Sequence, residues 1–177
     1  MAIRLLRGYL AAIALIAAFC AIAIGSVRAQ EAQSAEQARV IEHGKDIFKT
    51  KATCQFCHKW DGSGDQGYGG NALSLRASKL TSAQIAETVK CGRPGTGMPY
   101  HDQYAYTDKR CYGVTEAELG RDTPALPPGS TLNKREIAAV ADYLLAKVVG
   151  RGPEITKAEC EEAYGDGARM CNRYPAK

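Results

Sequence analysis

The sequence predicts an all-α fold with long loops. Three observations carry that prediction: no segment alternates apolar and polar residues with period two, two stretches open on helix-capping signatures, and one stretch carries a sustained helical stripe of apolar residues. The chain has 177 residues, 45% of them hydrophobic, which suits one folded domain and excludes a disordered protein. The formal charge of +4 is unevenly placed. Residues 1–29 hold three arginines and no acid, and the rest holds 20 basic and 19 acidic residues. That balance gives no footprint for nucleic acid. There is no internal repeat, and the Gly-rich stretch Gly62–Gly70 follows neither phosphate-loop spacing.

In chain order, Arg4 and Arg7 precede the apolar run Tyr9–Ile24, and small residues surround Val27-Arg28-Ala29. This predicts a signal peptide over 1–29, cut after Ala29. The competing reading is an uncleaved anchor, for which a run of about 16 residues is short. A lipoprotein would use Cys20, but Phe19 stands where a small residue is required. Export places a soluble protein in the periplasm, without membrane attachment after cleavage and in an oxidising compartment.

Residues 30–35 read as an unstructured start. Glu36–Thr50 reads as a helix with Val40, Ile41, Gly44, Ile47 and Phe48 near one face, and Asp61–Asn71 as loop. Thr81 and Gln84 form a capping box for a helix over Thr81–Lys90, with Leu80 and Ile85 as a staple and Gly92 as the stop. The same grammar recurs at Asn133 and Glu136. There Ile137, Val140, Ala141, Leu144, Leu145 and Val148 form the stripe of a core helix ending near Gly150.

Seven cysteines divide informatively. Cys20 goes with the signal. Cys54 and Cys57 lie in Cys54-Gln55-Phe56-Cys57-His58, the spacing of a c-type haem attachment site. Two thiols three residues apart reach the two vinyl groups on one porphyrin edge, and the adjacent His58 becomes the proximal iron ligand. A thioredoxin-like pair would need a βαβ context, and a zinc site a second close pair; neither is present. One motif predicts one covalent haem c. Cys91, Cys111, Cys160 and Cys171 can pair in three ways, and the local pairing Cys91–Cys111 and Cys160–Cys171 is favoured over the others and over free thiols.

For the sixth ligand, Met98 lies in Gly92-Arg93-Pro94-Gly95-Thr96-Gly97-Met98-Pro99, between the two strongest helices. A thioether there would favour reduced iron and raise the potential. The competing reading is a packing methionine. Met170 is expected to be structural or exposed. His43 and His101 are the remaining ligand candidates, His43 on a helix surface.

From about Ala35 to Val149 the sequence resembles a class I, monohaem cytochrome c, most specifically in Cys54–His58 and in Gly92–Pro99. Gly44 and Tyr143 look like that family's helix-crossing pair, and Phe48 like the aromatic after the glycine. The resemblance implies a small helical bundle around a covalent haem, His58 and Met98 as axial ligands, and one-electron transfer. Three departures stand out. The family's Pro after the haem motif, whose carbonyl holds the proximal His, has no counterpart in Gly70-Asn71-Ala72-Leu73. About 30 residues follow Pro99 before the last helix, with Tyr100, Tyr104, Tyr106, Cys111 and Tyr112. Residues 150–177 form an added tail with Cys160 and Cys171, beyond a cytochrome domain over 30–149. A Cys91–Cys111 bridge would clamp the Met98 loop. Two readings stand for the tyrosines: contact with a partner, or cover for the haem edge.

The leading expectation is a periplasmic electron carrier rather than an enzyme. The loop and tail resemble cytochromes that accept electrons from quinoprotein alcohol dehydrogenases, with an oxidase or another cytochrome as acceptor. The alternatives are a haem c enzyme or a gas or peroxide sensor with a labile Met98, and a permanent cytochrome subunit of a dehydrogenase complex.

Overall fold

The computed structural model describes residues 28, 30–127 and 129–176. The expected signal segment lies outside them except for Arg28. The chain divides into two units, Met1–Arg39 and Val40–Lys177. In the first, residues 30–39 are helical and exposed, which corrects the unstructured start. Ala, Glu, Gln and Arg dominate this stretch, and all are strong helix formers.

In the second unit, helical residues 40–46 (α1) widen into a π turn over Ile47–Lys51, closed by the Ala52 N–H on the Ile47 carbonyl at 2.9 Å. Such turns break helical register and recur near functional sites. One turn of helix, α2 (Gln55–His58), follows. The expected loop over Asp61–Asn71 instead contains an antiparallel pair, β1 (Asp65–Gly67) and β2 (Gly70–Ala72), with Gln66 opposite Asn71. The fold is therefore mostly helical and not all-α. Strands of three residues are too short to show an alternation in sequence.

Then come α3 (Ser82–Cys91), α4 (Glu116–Leu119), α5 (Lys134–Lys147) and α6 (Lys157–Tyr164). The expected capping boxes are present in α3 and α5. The Gln84 N–H donates to Thr81 Oγ1 while the Thr81 N–H donates to Gln84 Oε1, and Asn133 and Glu136 do the same. Among the described residues no helix is long and apolar enough to cross a membrane.

The core is built where α1 meets α5. A Cβ on Gly44 would lie 2.0 Å from the Ala139 carbonyl oxygen and 2.8 Å from Tyr143 Cβ, so only glycine allows this approach. Phe48 and Tyr143 fill the adjoining space with ring centroids 5.6 Å apart. Ile85 and Val89 of α3 and Ile137, Val140 and Leu144 of α5 complete the cluster. This contact recruits Ala139 and Tyr143 into the buried face and leaves Leu145, expected in the stripe, exposed. A second cluster forms around the Cys91–Cys111 bridge, with Ala105 and Tyr106 buried and Tyr100, Val114 and Leu119 against them.

The second bridge, Cys160–Cys171, closes the tail on itself. The tail is held by Arg76, which is 4% exposed. Its guanidinium donates to the carbonyls of Asp61, Arg151, Gly152 and Glu154 and to the Glu159 carboxylate. Tyr164 and Tyr174 pack edge-on against Trp60, with centroids 5.3 and 6.0 Å away.

Candidate functional site

The π turn delivers the chain to Thr53, whose φ of 52° lies in the left-handed region, and Lys59 leaves α2 at φ 59°. For non-glycine residues, a β-branched one above all, this is held strain of the kind that gathers at functional sites. Between them α2 places Cys54 and Cys57 three residues apart on one face, with His58 N–H on the Cys54 carbonyl at 2.9 Å.

Both thiols are unpaired, whereas the four other cysteines of the described residues are bridged. Burial pushes the Cys54 thiol up to about 12, and Cys57 adds to the shift. Two unpaired thiols side by side at one helical turn fit thioether formation.

The hairpin explains the glycines. A Cβ on Gly67 would lie 2.5 Å from the carbonyl oxygens of Phe56 and Cys57, and one on Gly69 would lie 2.5 Å from Cys57 Sγ. The Gly69 N–H donates to the Phe56 carbonyl at 3.0 Å. The ribbon therefore rests on the motif's backbone and leaves the Cys57 sulfur unobstructed by a side chain.

His58 Nδ1 lies 3.2 Å from the Leu73 carbonyl oxygen. Leu73 thus takes the place of the missing Pro as acceptor. Burial lowers the His58 pKa, the Leu73 contact opposes that, and the Arg93 charge adds to it. A carbonyl oxygen only accepts, so Nδ1–H is the donor in this contact, and in the neutral tautomer that leaves the lone pair on Nε2, as an iron-ligating imidazole requires.

In that loop Gly92 has φ 66°, and a Cβ there would lie 2.7 Å from the Met98 and Pro99 carbonyl oxygens. The Arg93 N–H donates to the Met98 carbonyl at 3.2 Å, and the Met98 N–H donates to Thr96 Oγ1 at 3.2 Å. Met98 is half-buried. The other candidates go elsewhere. His43 is exposed on α1. His101 is buried, with Nδ1 2.9 Å from the Ser130 carbonyl oxygen. Met170 is exposed beside the tail bridge.

The sequence did not reveal Leu73, Arg93, or the close approach of Gly67 and Gly69 to the motif. The glycine spacing was a usable signal for the last, because a backbone meeting another backbone needs residues without Cβ.

A family model described as cytochrome c matches residues 41–147, a span that contains the motif, the Met98 loop and the α1–α5 crossing. No curated protein and no solved structure matches the chain. With two adjacent free thiols, an oriented imidazole and a family match over more than half of its length, the chain belongs to the cytochrome c family, whose members carry covalently bound haem c and in general transfer electrons.

Proposed function

We propose that this protein is a periplasmic monohaem electron carrier, reduced by a quinoprotein dehydrogenase and oxidised by an oxidase or another cytochrome. The observation that carries the reading is the set Cys54, Cys57 and His58: two unpaired thiols on one helical turn beside an imidazole whose Nδ1 is already committed to Leu73. When bound, haem c supplies the Fe(II)/Fe(III) couple. Cys54 and Cys57 would hold it by thioethers, and His58 Nε2 and the Met98 thioether would supply the protein's ligands to its iron. With both of these ligands in place, the site would carry electrons and offer no open position for substrate. Residues 30–149 act as the cytochrome domain and 150–177 as an extension. The two disulfides support an oxidising compartment.

The test is an absorption spectrum of the haem-loaded protein, oxidised, reduced, and reduced with CO, for the natural chain and M98A. The natural chain is expected to be low-spin and to take up CO only slowly, with the weak long-wavelength ferric band of methionine ligation. M98A is expected to keep its haem and to bind CO. A natural chain that is high-spin and binds CO rapidly would replace this reading with catalysis or gas sensing. Rapid reduction by a purified quinoprotein alcohol dehydrogenase supports the donor, and none removes it.

A further inference from the structure

Helix α3 runs directly into the Met98 loop, so the end of the helix is the base of the loop. Helices end with carbonyls that have no partner inside the helix. Here residues after Met98 return to supply them. The Lys90 carbonyl accepts from the backbone N–H groups of His101 at 3.2 Å and Asp102 at 3.1 Å. The Tyr106 hydroxyl donates to the Cys91 carbonyl, and the Tyr112 hydroxyl donates to the Gly92 carbonyl at 2.8 Å. The Cys91–Cys111 bridge ties the same point. Farther along, the Gly95 N–H donates to the Asp122 carbonyl at 2.8 Å and the Tyr100 N–H to the Ala125 carbonyl at 3.0 Å. The loop is fastened at its base, middle and exit.

The two tyrosines differ from the backbone fastenings because they act through side chains, and from the disulfide because each contributes a single hydrogen bond. Tyr106 is buried and stacks edge-on with Tyr100 at 5.5 Å. Tyr112 stands at φ 54°, a backbone conformation that a bulky residue adopts only when its surroundings hold it there.

We infer that Tyr106 and Tyr112 are positioning residues for the axial methionine: their hydroxyls cap α3 at Cys91 and Gly92 and so fix where the Met98 loop begins. The inference rests on Met98 being the ligand. Replacing Tyr by Phe keeps the ring packing and removes only the donor. One net hydrogen bond corresponds to about a fivefold change in the balance between fastened and released loop.

The experiment uses the full haem-loaded chain with its disulfides formed, and compares Y106F, Y112F, Y104F and M98A. The readouts are the rate of CO uptake by the reduced protein and the ferric methionine band. CO uptake is expected to rise about fivefold in Y106F and in Y112F. The methionine band is expected to weaken while haem content stays constant. Y104F, whose ring is exposed on the same segment, is expected to match the natural chain. If Y106F does not fold, Y112F decides, since its side chain is half exposed. Unchanged CO uptake in Y112F with a CO-reactive M98A overturns the inference alone. An equal rise in Y104F also overturns it. An M98A that stays inert to CO removes the ligation reading and this inference with it.

Discussion

The Cys91–Cys111 and Cys160–Cys171 bridges span 20 and 11 residues, and all four sulfurs are fully buried. By chain entropy each is worth about 3 kcal/mol. What they hold is not alike. The first joins the end of α3 to the segment after Met98 and sits in its own apolar cluster with Ala105 and Tyr106. The second joins α6 to the short turn Arg169–Arg173 and leaves the tail's attachment to Arg76 and Trp60. A covalent staple therefore acts on function only through the segment it constrains. One constrains the loop that carries Met98, and the other shapes a cover whose grip is noncovalent.

Breaking that grip is expected to have the largest effect on stability. R76M removes a buried donor from four carbonyls and leaves Glu159, whose side chain is 14% exposed, with Arg151 as its remaining ion-pair partner. The expected loss is about 3–5 kcal/mol in denaturant unfolding, with faster proteolysis within 150–176. A tail that stays protected would mean that the Trp60 contacts and the lysine contacts to Glu162 and Ala163 suffice.

The bridges themselves come next. C91A/C111A and C160A/C171A are each expected to cost about 3 kcal/mol. Only C91A/C111A is expected to weaken the ferric methionine band and admit CO. If both double variants do so, or neither does, the two bridges are equivalent and the contrast collapses.

The smallest effect is a pH dependence confined to the first region. Burial lowers the His101 pKa, and its contact with the Ser130 carbonyl opposes that shift. The folded state favours the neutral ring more than the unfolded chain does. The associated stability is complete above the unfolded value of about 6.5 and falls as pH drops toward the lower folded value. The slope is at most about 1.4 kcal/mol per pH unit. H101Q, which keeps a donor for Ser130, is expected to flatten that part of the curve between pH 7 and 5. The tail has no histidine, so its exposure to protease is expected to show no matching step.

The sequence by itself determined what depends on neighbours three or four residues apart. The motif Cys54–His58 and the capping boxes at Thr81 and Asn133 are local chemistry, complete within one helical turn. The same grammar stood at Thr115 and Glu118 and at Thr156 and Glu159, and the structure has helices at both. They went unread because helices of four and eight residues are too short to show a periodic stripe. Only the tertiary structure decided which distant groups meet. Leu73 holds His58 from 15 residues away, Arg76 gathers acceptors about 75 residues along, and Tyr112 reaches back 20 residues to Gly92. A carbonyl acceptor carries no side-chain signature, because every residue has one. Which carbonyl is left without a partner, and which donor arrives to fill it, depends on how the helices pack.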